Sequence, residues 1–358
     1  MALYPGIESE TRVPLAALRK LVTEIFSAAG MSAEDAASLS DSLVFADLYG
    51  VHSHGTLRVP EYVDKVTIKG VNPRGKPRVV KDVGAIAVVD GDNSMGAIGG
   101  AFAMRLAIEK ARALGVGVVA VRGSNHCGAM DYFTRMAVES DMVGFATTNA
   151  LPTMAPWGGT AKILGINPLS IGVPAGREHP LVLDAAFSAS SHGKIRVYHQ
   201  KRQPLPEGWA FDRDGVPTTD TAAAIEGLLQ PIGQYKGTGL ALMMGVLSSL
   251  LSGAALGTEL GNMVDGPTAG LDGHFFMALN VGAFEDLARF KERVDGVVQQ
   301  IETSRPATGQ DRIYAPGGVE AAIAQHYRAE GIALNDETLG GLVALARRFG
   351  LALPAGLS

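Results

Sequence analysis

Residues 116–147 switch between two hydrophobic periods, and that switch restricts the fold more than any other feature of the chain. Gly117-Val118-Val119-Ala120-Val121 is an unbroken apolar run of strand length, and Arg122-Gly123-Ser124 reads as the turn that ends it. Ala129 to Glu139 is helix-like, and residues 142–147 return to an apolar strand. A strand, helix, strand rhythm needs a crossover connection, so the sheet is predicted to be partly parallel and the class α/β.

The remaining segments fit a mixed sheet with helices. Val79 to Val89 alternates around Asp82-Val83-Gly84, a hairpin pattern, while Leu169 to Val173, Leu181 to Leu183 and His274 to Asn280 read as further strands. Leucines and other apolar residues recur at helical spacing over residues 14–29. Ser32 followed by Asp35 predicts an N-cap for a helix from Ala33 to Tyr49. Gly96 to Leu114, Ala186 to Val197, Phe284 to Thr303, Val319 to Ala329 and Asp336 to Phe349 are also predicted helices. Helix-rich ends thus bracket an α/β middle. The simplest division joins residues 1–75 with 282–358 as a helical unit beside a central domain, 76–281. Ala255 to Asp272 is glycine-rich and is expected to be mobile.

With 358 residues and 47% hydrophobic content, the chain is long enough for two domains or one large domain with additions. Its 45 glycines and 6% aromatics suit a glycine-turned α/β enzyme better than an all-β sandwich. The net charge of −5 and the lack of a Lys/Arg-rich run argue against nucleic acid. Gly237 to Leu251, the longest apolar stretch, falls short of the roughly 20 residues a membrane span needs and is predicted to be a buried helix. Met1 to Thr11 lacks a secretory pattern, and the single cysteine, Cys127, excludes an internal disulfide. A cytoplasmic location is the expectation.

Two short constellations carry chemistry. Asn125-His126-Cys127-Gly128 places an imidazole at the carboxyl end of a predicted strand, where open α/β sheets bind ligands and where a proton carrier near neutral pH is useful. A satisfied polar histidine in a strand-to-helix turn is the alternative. Upstream, Ser53-His54-Gly55-Thr56-Leu57-Arg58 offers a second imidazole and a guanidinium. If Gly55 to Tyr62 is helical, His54 and Arg58 share a face. Arginine's planar fork grips a carboxylate, so the pair suggests chemistry beside a carboxylate, as in a 2-hydroxy or 2-oxo acid. A helix-terminus cap for His54 and a surface salt bridge for Arg58 are the competing readings.

No Gly-x-Gly-x-x-Gly run joins a strand to a helix, no phosphate-binding Gly-x-x-x-x-Gly-Lys-Ser/Thr is present, and the histidines form no i, i+4 ligand pair, so no metal site is expected. Gly96-Ala97-Ile98-Gly99-Gly100 precedes a helix without a strand leading clearly into it. Three stretches remain as candidates for phosphates or a nicotinamide. Asp184-Ala185-Ala186-Phe187-Ser188 reads as the opening of a helix that runs on to Gly193-Lys194, with free N–H groups for an anion or with Asp184 as an ordinary cap. Lys194 either reaches a site or is a solvated end charge. Gln234 to Gly239 puts Lys236 beside two glycines, and Ala315-Pro316-Gly317-Gly318 is a turn before a helix.

Taken together, these pieces resemble the type-2 malate/L-lactate dehydrogenase family, which includes L-sulfolactate dehydrogenase, ureidoglycolate dehydrogenase, 2,3-diketo-L-gulonate reductase and Δ1-piperideine-2-carboxylate reductase. The resemblance rests on Ser53-His54-Gly55 with Arg58, Ser124 to Gly128, Leu164-Gly165-Ile166-Asn167-Pro168, Asp184 through Gly193-Lys194, Pro206-Glu207-Gly208-Trp209-Ala210, and Lys236 to Ala241, in that order along the chain. It implies a non-Rossmann nicotinamide-binding fold of the L-sulfolactate dehydrogenase type and a homodimer. It also implies NAD or NADP as cofactor, with NAD favoured because no basic pair marks a 2′-phosphate site.

The implied reaction is hydride transfer between nicotinamide and a small 2-hydroxy/2-oxo acid. Imino-acid reduction or ureidoglycolate-type oxidation on the same scaffold is the alternative, and a non-catalytic binding protein a remote one. By this resemblance His126 is the acid/base, Ser53, His54 and Lys194 belong to the catalytic network, and Arg58 and Ile166 meet the substrate. The backbone of His126, Cys127, Gly128, Ala129 and Met130 contacts the cofactor, with Asn149, Ala150, Asp184, Ala185, Ala186, Lys236 and Gly317. Ile166 replaces the Thr or Asn of many relatives, which makes the pocket less polar there. Lys194 stands where the imino-acid reductases often carry an acidic residue, which favours a hydroxy acid.

Overall fold

The computed structural model describes residues 10–68, 70–200, 202–261 and 270–354. Residues 1–9, part of the segment without a secretory pattern, and residues 262–269, within the glycine-rich stretch expected to be mobile, lie outside the described residues.

The chain begins with β1 (Thr11–Val13), α1 (Leu15–Ala28) and α2 (Ala33–Leu48), followed by two 3-10 turns, His52–His54 and Thr56–Arg58, and by α3 (Val59–Thr67). Ser32 caps α2 as predicted, its hydroxyl accepting from the Asp35 N–H. The stretch from Gly55 to Tyr62 is not one helix. Gly55 is extended (φ −90°, ψ −151°) and separates the two turns, so His54 and Arg58 are not stacked a helical turn apart.

Next come β2 (Arg78–Val83), β3 (Ile86–Asp90), α4 (Gly96–Leu114), β4 (Val116–Ser124), α5 (Asp131–Val138), β5 (Met142–Thr148), β6 (Pro152–Met154), β7 (Leu164–Gly165), β8 (Leu169–Val173) and β9 (Leu181–Ala185). They are followed by α6 (His192–Gln200), β10 (Ala210–Phe211), β11 (Pro217–Thr218), α7 (Thr221–Glu226), β12 (Leu228–Leu229), α8 (Tyr235–Gly245) and β13 (Asp272–Asn280). The end of the chain supplies α9 (Leu287–Glu302), α10 (Gly318–Glu330), β14 (Ile332–Leu334) and α11 (Asp336–Arg348).

The main sheet has seven strands in the order β2-β3-β4-β13-β5-β8-β9. Only β3 and β4 pair in parallel, so the right unit for the crossover is β3-α4-β4. The predicted pair β4 and β5 share a direction, but β13 sits between them and is antiparallel to both. Arg122-Gly123-Ser124 extends β4 instead of ending it, because β13 continues to pair as far as Ser124. A strand does lead into the glycine cluster at α4, namely β3, through the turn at residues 91–95.

The described residues form three apolar clusters. The first joins the two chain ends: α1, α2 and α3 pack with Ile323, Ala324, Tyr327, Leu342, Leu345 and β14, which pairs with β1. The second lies under α4, α5 and the main sheet and includes Met104, Val119, Phe133 and Phe276. The third, around Met154, Phe187, Ile195 and Leu229, supports the small sheet β11-β10-β12. Asp295 of α9 accepts N–H groups from Gly176, Arg177 and Glu178, which ties that helix to the β8–β9 connection.

Two predicted helices differ. Ala186 to Ser191 is not helical; β9 runs through Ala185, Ser188 bridges Pro231, and α6 starts only at His192. The apolar stretch Gly237 to Leu251 is helical, with a π-turn over Val246–Leu250, but it is not buried throughout. Its small residues Gly237, Ala241, Gly245, Ser248 and Ser249 face the protein, while Leu240, Met243 and Leu250 remain exposed. Close approach explains the arrangement: a Cβ on Gly245 would lie 2.7 Å from Asn167 Nδ2. No helix among the described residues is long and apolar enough to cross a membrane.

Candidate active site

Asp47 organises the upstream constellation. It follows Leu39 and Leu43 along the buried stripe of α2 and is 1% exposed. Its Oδ2 accepts from the Thr56 N–H (2.8 Å) and the Thr56 hydroxyl (2.6 Å), and its Oδ1 lies 2.8 Å from His52 Nδ1. Gly55 is required where the turn passes this carboxylate, since a Cβ there would stand 2.0 Å from Asp47 Oδ1. The two short turns thereby present Ser53, His54 and Arg58 together. Ser53 Oγ lies 3.0 Å from His54 Nδ1, and Arg58 Nε donates to the Ser53 carbonyl at 2.8 Å. Arg58 also bridges Glu61 (2.8 Å), and its Nη2 has no hydrogen bond among the described residues.

The downstream constellation arrives at the same place from the end of β4. Asn125 is buried and pinned on both sides of its amide: Nδ2 donates to the Ser94 carbonyl (2.8 Å), and Oδ1 accepts from the Gly270 N–H (3.0 Å). The start of α4 packs directly on this loop, since a Cβ on Gly96 would lie 1.9 Å from the Asn125 carbonyl oxygen. His126 follows, half-buried, with its ring stacked on His54 at 5.6 Å between centroids and 21° between planes. Its Nδ1 lies 2.5 Å from the Tyr62 hydroxyl, and Nε2 has no hydrogen-bond partner among the described residues. The imidazole and guanidinium that the sequence places far apart are therefore neighbours.

Burial sets the electrostatics. Desolvation, aided by His54, Arg58 and His274, holds His126 well below the usual imidazole range. His54 is pushed down to about 4 by desolvation and then by the Arg58 cation. Desolvation raises the Tyr62 hydroxyl far above its usual range, so it stays protonated and can donate to or accept from the imidazole. The Cys127 thiol is likewise pushed up by burial, an inert packing group and not a nucleophile.

Gly128 has φ +83°, and Cys127, Ala129 and Met130 are buried behind His126. Asn149 is 6% exposed; its Nδ2 donates to Ser249 Oγ and the Ala255 carbonyl, while its buried Oδ1 has no donor among the described residues. Ala150 follows, its N–H donating to Asn167 Oδ1 (2.9 Å). Asp184 does not open a helix of its own. It sits in β9, followed by Ala185 and Ala186, and accepts the Asp131 N–H at 2.8 Å, capping α5 just beyond the His126 loop. Gly317 caps α10 at φ +86° against Val182, so its turn lies beside β9. Ile166 packs on the third apolar cluster. Lys194 and Lys236 are exposed at the starts of α6 and α8, and neither makes a side-chain bond among the described residues.

Tyr62 and Asp47 were not singled out from sequence. Tyr62 lies among the apolar residues of α3 and looks like core. Asp47 had a readable signal, a carboxylate at i, i+4 spacing from Leu39 and Leu43 on a stripe that is otherwise apolar.

A sequence model of the malate/L-lactate dehydrogenase family matches residues 13–343. The L-sulfolactate dehydrogenase of Methanocaldococcus jannaschii is 40% identical over 302 residues, 84% of this chain and 87% of that protein. A malate dehydrogenase of Pyrococcus horikoshii is 36% identical over 352 residues, 96% of this chain and 97% of its own length. The solved structure of the M. jannaschii sulfolactate dehydrogenase superposes with a TM-score of 0.88 at 37% identity, covering 96% of this chain and 98% of that one. The chain belongs to the malate/L-lactate dehydrogenase family. It is an oxidoreductase of the hydroxy-acid dehydrogenase class, with the family's mixed α/β fold.

Proposed function

We propose that the protein interconverts a small 2-hydroxy acid of the malate or lactate kind and its 2-oxo acid, with NAD in preference to NADP. One observation carries the reading: the half-buried His126 ring, held at Nδ1 by Tyr62 and, among the described residues, unpartnered at Nε2, is stacked on His54 beside the Arg58 guanidinium.

The residues present suit a nicotinamide. The buried, donorless Asn149 Oδ1 is the acceptor that a carboxamide N–H requires, and Ala150 stands beside it. The His126 to Met130 backbone, Asp184 to Ala186, Lys236 and the Gly317 turn would hold the rest of the dinucleotide. When bound, that cofactor accepts or returns the hydride.

Proton movement falls to this chain. During oxidation the neutral His126 takes the hydroxyl proton at Nε2, and the Tyr62 oxygen accepts from Nδ1–H of the charged ring. During reduction His126 returns the proton to the oxygen. Arg58, fixed by Ser53 and Glu61, turns its free Nη2 edge to the substrate carboxylate and orients C2. Ser53 and His54 complete the polar wall, Ile166 supplies an apolar one, and Lys194 adds a mobile cation. We also assign a cytoplasmic setting, in keeping with the single buried thiol, and a homodimer.

The test is a panel of pyruvate, oxaloacetate and Δ1-piperideine-2-carboxylate, followed by NADH and NADPH absorbance. Turnover of an oxo acid with NADH is expected. Turnover of the cyclic imine alone would reassign the protein to imino-acid reduction, and no turnover of any oxo acid would refute the reading.

A further inference from the structure

In the main sheet β13 separates β4 from β5, the two strands whose ends feed the site. One β13 side chain touches both. His274 is fully buried, with Nε2 2.8 Å from Ser124 Oγ at the end of β4 and Nδ1 2.8 Å from Thr148 Oγ1 at the end of β5. A register shift between Asp272 and His274 sets the ring between those two hydroxyls. Gly273 makes the shift possible, since a Cβ there would lie 2.2 Å from the Ser248 carbonyl oxygen. Ser124 is two residues before His126, and Thr148 is next to Asn149.

Thr148 Oγ1 lies 3.2 Å from the carbonyl oxygens of both Gly273 and Asn149. In the tautomer with Nδ1–H, Thr148 donates to one of them and accepts from the ring while Nε2 accepts from the Ser124 hydroxyl; the Asn125 and Gly273 backbones also bond the ring. Desolvation pushes the His274 ring down to about 4, so it remains neutral with one donor and one acceptor. A phenylalanine would fill this interior position without any polar group to satisfy. A buried polar ring bonded at both nitrogens instead fixes the relative placement of its partners.

We propose that His274 is a positioning residue whose bridge from Ser124 to Thr148 sets the spacing between the His126 loop and the Asn149-Ala150 loop. This rests on the reading of His126 as the proton carrier and Asn149-Ala150 as the nicotinamide wall. It acts through those loops and touches neither substrate nor cofactor.

The test compares His274→Phe, His274→Gln, Ser124→Ala, Thr148→Val, the Ser124→Ala/Thr148→Val pair and His126→Ala in oxo-acid reduction, with circular dichroism as the folding control. His274→Phe is expected to lower kcat at least about tenfold with an oxo-acid KM near that of the wild type, because orientation and not ground-state binding is lost. His274→Gln, which keeps a donor and an acceptor, should return to within about threefold of wild type. The Ser124→Ala/Thr148→Val pair should lose less than the product of its two single losses, since both hydroxyls act through one ring. This arm stands even if His274→Phe fails to fold. A folded His274→Phe with unchanged kcat, or independent multiplying losses in the pair, would overturn the proposal alone. Wild-type turnover in His126→Ala would overturn the functional reading and this proposal with it.

Discussion

At the scale of residues, the proposed site keeps its candidate base neutral. Burial disfavours the charged form of His126, and Tyr62 supports the ring at the nitrogen opposite the open one. A lowered pKa means the base form survives acidification. The acid limb of kcat/KM for hydroxy-acid oxidation is therefore expected below pH 6.5, the ordinary imidazole value; a limb at or above it would contradict the assignment. Replacing His126 with Ala should cost at least about a hundredfold in turnover, with NADH affinity, read by its fluorescence, little changed. The guanidinium makes a different prediction. Arg58 already binds Ser53 and Glu61, and only its planar shape leaves an edge for a carboxylate. Arg58→Lys should raise the oxo-acid KM by about tenfold or more, and an unaltered KM would remove it from that role.

Elements decide whether these groups meet. The upstream turn is built by one buried carboxylate and one missing side chain. Gly55→Ala would force a methyl group to within 2.0 Å of Asp47 Oδ1, so Asp47 must release Thr56 or the turn must open. The expected cost is about 2 kcal/mol or more in stability together with a marked loss of kcat/KM, measured by denaturant unfolding and steady-state rates. Ser32→Ala is the contrast. It removes the α2 cap and the hydroxyl's bond to the Asp35 carboxylate, at about 1 kcal/mol, and should leave kcat/KM unchanged. The elements also show where reading the sequence failed. The strand at 116–121, its histidine and the hairpin at 79–89 were legible because apolar runs and glycine turns are local signals. The role of Asp184 was not. The N–H it accepts belongs to Asp131, 53 residues earlier in the chain, so a cap for α5 looked like the opening of a helix at 186.

For the whole molecule, the exposed stripe on α8 and the π-turn after it has a consequence. Leu240, Met243 and Leu250 fall at helical spacing with Leu247, and all but Leu247 are exposed on the single chain. Apolar surface of this kind supports the homodimer proposed above. Light scattering is expected to give twice the 37.3 kDa of one chain, and the double change Leu240→Glu/Met243→Glu should shift it toward the single mass. A wild-type monomer would refute the dimer. The proposed division into a helical unit and a central domain draws on the first apolar cluster, where α1, α2 and α3 meet α10, α11 and β14.

The local order of residues was enough to determine the α/β class, the helical character of both ends, and the two histidine-bearing stretches at 53–58 and 124–128. Hydrophobic period and turn chemistry act over a few neighbours and need no fold to be read. Tertiary structure alone decided that β13 would enter between β4 and β5, that Tyr62 would support His126, that Asp47 would shape the turn at Gly55, and that His274 would touch both strand ends. Each of those contacts joins groups brought together by packing, and the geometry of a hydrogen bond exists only once the chain has closed around it.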